Sequence, residues 1–244
     1  MSKTAGIIII GNEVLSGKTQ DINSTFLCRE LRLLGVDVQR VTVIPDDLEL
    51  IGRTAARFSA KWDLVFTTGG VGPTHDDVTI EGIAHGFGVP AVIHPQLQRR
   101  LSQRYGADLN EARLRMAMVP EGAELLGAGA LFAPVVRLNN VYIFAGVPRI
   151  LQDRFNAIKE RFREAPYHLR NIYIREGEGA IAATLNDLLD RFPEIMLGSY
   201  PVLDHPEYKV KVTVESKSGA YLERAVTSLL EQLPPATILR VEES

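Results

Sequence analysis

Hydrophobic positions along the chain alternate between short apolar runs and helical stripes. Ala5-Gly-Ile-Ile-Ile-Ile10 is an unbroken apolar run before a glycine, the pattern of a strand buried on both faces. Phe26, Leu27, Leu31 and Leu34 share one helical face over 23–34, and Gly35 stands where a helix commonly closes. Val36, Val38, Val41 and Val43 predict a second strand, followed by the turn Pro45-Asp46-Asp47. Residues 48–60 read as a helix and 63–68 as a third strand. Ile80, Ile83, Ala84 and Phe87 mark a helix, 141–145 a strand and 148–163 a helix. Such alternation predicts a mostly parallel sheet sandwiched by helices. Ligands of such sheets bind at the carboxyl ends of the strands. Loops 11–21, 69–77 and 146–148 all follow strands and are the places to look for chemistry.

Near Ala165-Pro166 the pattern changes. Residues 169–175 read as strand, 178–191 as helix, 195–201 and 208–215 as strands, 219–233 as helix and 236–242 as strand. This βαββαβ order is a split βαβ arrangement, so an α+β domain. Two domains are therefore expected, 1–168 and 169–244. Charge divides with them: the net −3 of the chain resolves into +1 for the first part and −4 for the second. That balance gives no reason to expect nucleic acid. No apolar run is long enough for a bilayer, and the four isoleucines near the N-terminus are too few for a signal-peptide core. The lone Cys28 excludes an internal disulfide and suits a reducing compartment, so a cytoplasmic location is expected. Its neighbours suggest a buried thiol rather than a nucleophile.

Gly11-Asn12-Glu13-Val14-Leu15-Ser16-Gly17-Lys18-Thr19 looks like a P-loop but has five residues between its glycines instead of four. Bulky Val14 and Leu15 fit a phosphate nest poorly, Glu13 would sit near the anion, and the helical face begins only near Asn23. An ATPase is rejected and Lys18 reads as a surface residue, but the loop stays a candidate through Gly11, Asn12 and Glu13.

The segment Thr67-Thr68-Gly69-Gly70-Val71-Gly72-Pro73-Thr74-His75-Asp76-Asp77-Val78-Thr79 carries more. Its glycines let backbone N–H groups approach a ligand. Thr74 with Asp77 has capping-box spacing, which predicts a helix N-terminus facing the loop and an anion. Two adjacent carboxylates would repel a phosphate unless a cation lies between, and Mg²⁺ commonly takes one or two carboxylates plus phosphates. Asp76 and Asp77 are the metal candidates. Thr68, Gly69, Gly70, Gly72, Pro73 and Thr74 are the phosphate-binding candidates. Capping alone would explain one acidic residue but not the glycines.

Asp21, Asn23 and Ser24 can cap the next helix or contact a ribose or base. Gly146 and Pro148 can present N–H groups to a ligand or merely turn the chain, and the pattern supports both equally. Arg99, Arg100, Arg104, Arg113 and Arg115 form a basic helical stretch without the interleaved aromatics of a nucleic-acid surface. One of these arginines is placed to reach a substrate phosphate.

Together, Ile10–Gly17, Asp21–Asn23 and Thr68–Thr79 resemble the MoaB/Mog-like molybdopterin-binding domain, in the version of the competence/damage-inducible CinA N-terminal family. Gly17–Ser24, Pro73–Thr79 and Asn140–Pro148 are similar to the N-terminal domain of eukaryotic FAD synthases. Gly177–Gly179, Leu197–Pro201 and Asp204 resemble the small domain that follows in both. The resemblance implies a three-layer α/β fold, a homo-oligomer, and divalent-metal-dependent hydrolysis of a nucleotide pyrophosphate such as ADP-ribose or FAD. It places Asp77 near Mg²⁺, with Asp76 beside it.

Two segments depart from the CinA pattern. Ala130-Leu-Phe-Ala-Pro134-Val-Val stands where Gly-Thr-Ala-Pro-Gly is usual, and Ala145-Gly-Val-Pro148 where Pro-Gly-x-Pro is usual. The sequence stops before a nicotinamide-mononucleotide deamidase or FAD-synthesising domain, so those activities are expected to be absent.

The expected enzyme is thus a nucleotide pyrophosphatase using Mg²⁺, Mn²⁺ or Co²⁺. Asp76 and Asp77 hold the ion, and Glu13 orients metal or water. The alternative is a non-catalytic module that holds a pterin or nucleotide. Either way the partner is a small molecule, with no nucleic acid and no membrane.

Overall fold

The computed structural model describes residues 2–127 and 133–243 of the 244-residue chain. Of the segment departing from the CinA pattern, residues 130–132 lie outside the described ones. Contacts divide the chain into two compact units, Met1–Glu164 and Ala165–Ser244.

The first unit opens with β1 (Thr4–Ile10), α1 (Asn12–Leu15), α2 (Asn23–Leu33), β2 (Asp37–Ile44), α3 (Leu48–Lys61), β3 (Leu64–Thr68) and α4 (Thr79–Gly86). It continues with β4 (Ala91–Ile93), α5 (Pro95–Tyr105), α6 (Glu111–Arg115), β5 (Met118–Pro120), β6 (Glu124–Leu126), β7 (Val135–Leu138), β8 (Val141–Phe144) and α7 (Pro148–Ile158). Six strands form one sheet in the order β2-β1-β3-β8-β7-β6. The pairings β1–β2, β1–β3 and β3–β8 are parallel. The β7–β8 and β6–β7 pairings are antiparallel, so the parallel sheet read from the sequence carries an antiparallel edge. That edge escaped the pattern because its strands have only three or four residues, too few for a period to show.

The isoleucine run is buried on both faces of this sheet. Ile8 and Ile10 join a core with residues of α3, α4 and α5, including Ile51, Ile83 and Leu101. Ala5, Ile7 and Ile9 join the opposite core with Leu27 and Leu31 of α2 and Leu151 and Phe155 of α7. Helix, sheet and helix therefore make three layers. Helix α2 ends as its sequence predicts, with Gly35 at φ 80° and its N–H donating to Arg32 O. Cys28 is half-buried rather than buried, and burial pushes its thiol pKa up. The basic stretch is two helices, broken by Gly106 at φ 50°.

The second unit runs β9 (His168–Ile174), α8 (Glu178–Arg191), β10 (Met196–Pro201), β11 (Val210–Ser216), α9 (Gly219–Gln232) and β12 (Ile238–Glu243). Its sheet order is β10-β11-β9-β12, antiparallel throughout, the split βαβ layout. Ile172, Val212 and Val214 of the sheet pack with Leu185, Leu222 and Leu229 of the helices. Among the described residues no helix is long and apolar enough to cross a membrane.

Candidate functional site

The parallel strands β1, β2, β3 and β8 end at Ile10, Ile44, Thr68 and Phe144, and the candidate loops leave from those ends. Gly69 is where they meet. Its φ is 106°, a conformation L side chains rarely adopt, and a Cβ there would collide with the Ile10 carbonyl oxygen. Its N–H donates to Phe144 O at 3.2 Å. Gly146 packs from the other side, so close that a Cβ on it would stand 3.2 Å from Gly69 Cα.

Thr79, the first residue of α4, ties the loop down. Its hydroxyl donates to Gly69 O at 2.8 Å and its N–H to Gly70 O at 3.0 Å. Asp77 and Thr74 do not cap that helix, contrary to the spacing argument. The Asp77 carboxylate instead accepts from the Thr74 N–H at 2.9 Å and from the Thr74 hydroxyl, closing a turn ahead of α4. The physical reason is distance along the chain. Helix α4 starts two residues after Asp77, and its flanking residue Val78 has no side-chain cap.

Asp77 is half-buried, with Oδ2 only 2.5 Å from where a Cβ on Gly72 would lie. Asp76 beside it is 60% exposed, 4.0 Å from His75, itself 97% exposed. The Thr74 hydroxyl and the backbone amide of Asp76 hold the Asp76 carboxyl below the usual carboxylate range. Pro73 and Thr74 are exposed.

Arg115 braces this loop. Its guanidinium donates to Thr74 O at 3.0 Å, Asp77 O at 3.3 Å and Glu81 Oε1 at 3.0 Å. Those bonds engage it with the loop's own carbonyls rather than leaving it for a phosphate.

Of Asp21, Asn23 and Ser24, one faces the strand ends. Asp21 caps α2, accepting from the N–H groups of Asn23 and Ser24 at 3.0 Å each and from the Ser24 hydroxyl. Asn23 is buried. Its Nδ2 donates to Thr68 Oγ1 at 3.1 Å and to Gly146 O at 2.7 Å, while the Thr68 hydroxyl donates to Ala145 O at 3.0 Å. The Asn23 Oδ1 atom is buried without a hydrogen-bond partner. A signal for this was present: Asn23 continues the buried Leu27–Leu31 stripe by one turn toward the strand ends. Pro148 begins α7 and makes the Gly146 segment a helix entrance.

Gly11 donates its N–H to Ile44 O, and Asn12 donates its own to Asp46 Oδ2 at 2.8 Å. Glu13 lies in the short exposed helix α1, and its carboxylate folds back over Gly11. Asp46 was read only as part of a turn. The sheet order sets it beside the glycine loop, with Oδ1 3.3 Å from where a Cβ on Gly70 would lie. Proximity of β2 to that loop, through β1, is a tertiary fact with no local signal.

Among the described residues no group of three or more His, Cys, Asp or Glu side chains is arranged to hold a metal alone. Asp46 and Asp77 nonetheless stand beside Gly70 and Gly72. Each is a hard oxygen donor of the kind that a divalent cation takes together with phosphate and water.

Residues 6–165 match the family described as Probable molybdopterin binding domain, and residues 166–242 that described as FAD synthase, middle domain. A Probable FAD synthase of Caenorhabditis elegans is 36% identical across 95% of this chain and 50% of its own length. A protein of Archaeoglobus fulgidus is 34% identical across 93% of this chain and 96% of its own. A CinA-like protein of Thermotoga maritima is 31% identical across 94% of this chain and 58% of its own. The chain thus spans about half the length of the Caenorhabditis and Thermotoga relatives. The crystal structure of CinA from Thermoplasma acidophilum is similar with a TM-score of 0.61 and 32% identity, over 66% of this chain and 100% of that one.

Proposed function

This chain belongs to the molybdopterin-binding domain family, and from that premise we propose that its first unit is a divalent-metal-dependent nucleotide pyrophosphatase acting on a compound such as ADP-ribose or FAD. The observation that carries this reading is the convergence of strand ends on the Gly69–Gly72 backbone with Asp46 and Asp77 at its edge. The loop N–H groups bind phosphate oxygens. Asp46 and Asp77 hold the cation, with Asp76 and Glu13 near the solvent side of the same loops. A divalent cation, when bound, neutralises the pyrophosphate and activates water. Asn23 holds the strand ends behind that backbone, through Thr68 and Gly146.

Purified protein incubated with ADP-ribose or FAD and Mg²⁺, Mn²⁺ or Co²⁺ should release AMP. Asp77→Ala should lower turnover by about a hundredfold, the scale of losing one preorganised electrostatic group. Undiminished turnover in that variant would sink the mechanism.

A binding-only module is the second reading, favoured by the lack of any self-sufficient ligand cluster among the described residues. Calorimetric binding of a pterin, with no dinucleotide cleaved under any of the three metals, would select it.

A further inference from the structure

Beside the glycine loop lies a cavity of about 250 Å³ between α5, the sheet and α7. It shares Val71, Ile80, Met116 and Met118 with the small hollow against Gly70, Gly72 and Asp77, so its space adjoins the loop. Its walls are mainly apolar, Ile143 and Ile150 among them, but Arg100, Arg104 and Arg154 also line it. Arg154 is the unusual member. It is half-buried, one helical turn from Ile150 on α7, and has no hydrogen bond or ion pair among the described residues. Burial pulls its pKa below the ordinary arginine value, a sign of a cation short of solvation. Among the described residues a guanidinium so placed has no partner to offset its desolvation.

The volume falls under the roughly 300–1,000 Å³ that encloses a drug-sized ligand, so the cavity suits one fused ring system rather than a dinucleotide. Thioethers of Met116 and Met118 favour aromatic contact. The guanidinium fork matches paired acceptors on the edge of a planar ring or stacks on its face.

We propose that this cavity is a ring subsite of the substrate site, taking a planar heteroaromatic ring, and that Arg154 pairs with acceptor atoms on the ring's edge and so sets which ring is accepted. The inference rests on the pyrophosphatase reading only for the phosphate that sits in the adjoining loop. It names a specificity residue outside the sequence motifs, contributed by a helix that carries no candidate beyond its first residue.

The test is calorimetric binding of FMN, AMP and ribose 5-phosphate, which share a phosphate and differ in the ring, to the full chain and to Arg154→Met and Arg154→Lys. At least one ring-bearing ligand should bind about tenfold tighter than ribose 5-phosphate. In Arg154→Met that advantage should shrink by about tenfold while ribose 5-phosphate affinity stays unchanged, which also reports a folded site. Lysine keeps the charge without the fork and should not restore the preference. The proposal is overturned if neither ring improves on ribose 5-phosphate, if Arg154→Met leaves the preference intact or weakens all three ligands equally, or if lysine rescues fully. Binding does not depend on turnover. An Arg154-dependent preference in a protein that cleaves no dinucleotide removes the pyrophosphatase reading alone, whereas turnover without the preference removes the subsite alone.

Discussion

Asn23 is the residue on which the candidate site turns. One amide holds the start of α2 to the end of β3 through Thr68 and to the end of β8 through Gly146. The first bond is buried and the second part-buried, so leaving their partners unpaired costs about 1–3 kcal/mol. Asn23→Leu should lower unfolding free energy by about that amount in a urea titration. It should also weaken ligand binding, because the same substitution releases the Thr68 and Gly146 segments that border the glycine loop. Retained stability together with retained affinity would mean the amide is incidental. Asp46 and Asp77 differ from Asn23 in kind. Each accepts from a loop N–H group, Asn12 and Thr74 respectively, so each shapes the loop as well as lining it.

At the scale of elements, the loop depends on how α4 is held. Helices α3 and α4 cross with their backbones nearly touching. A Cβ on Gly52 would collide with Gly82 O and stand 2.9 Å from Gly86 N, leaving no room for a methyl group. Thr79 then passes that placement to the loop through Gly69 O and Gly70 O. Glycine inside a helix normally destabilises by roughly 0.5–1 kcal/mol relative to alanine. Here the sign should reverse: overpacking of about 1–3 kcal/mol outweighs the propensity gain. Gly52→Ala should therefore lower the melting temperature by several degrees, taking about 2–4 °C per kcal/mol for a chain of this size. An unchanged or raised melting temperature would refute the close crossing.

Across the whole molecule, two units each have a core of their own. In the second, Ile172, Ile174, Val212 and Leu222 are almost wholly buried. Arg170 pairs with Glu223 of α9 at 2.5 Å and with Glu243 of β12 at 3.0 Å, tying a helix and an edge strand to the central β9. A fragment of residues 165–244 should thus fold alone, with a cooperative thermal transition and mixed helix and strand circular dichroism. A featureless spectrum would show that its stability comes from the rest of the chain.

The sequence by itself determined the elements that carry a strong local period. The stripe of α2 and the βαββαβ order of the second unit are readable because burial on a strand or helix repeats every two or 3.6 residues, while β1 shows as an unbroken apolar run and the loop after β3 by its glycines. The tertiary structure alone decided which side chains meet. Asp46 reaches the glycine loop because β2 and β3 both flank β1, Arg115 braces that loop from 38 to 41 residues away, and Arg154 turns into the cavity from α7. Likewise Asp77 closes a turn with Thr74 instead of capping a helix, since the glycine loop's geometry delays α4 to Thr79. Local periodicity encodes which face is buried. Sheet order and helix crossing, set by the packing of the whole core, decide what that face is buried against.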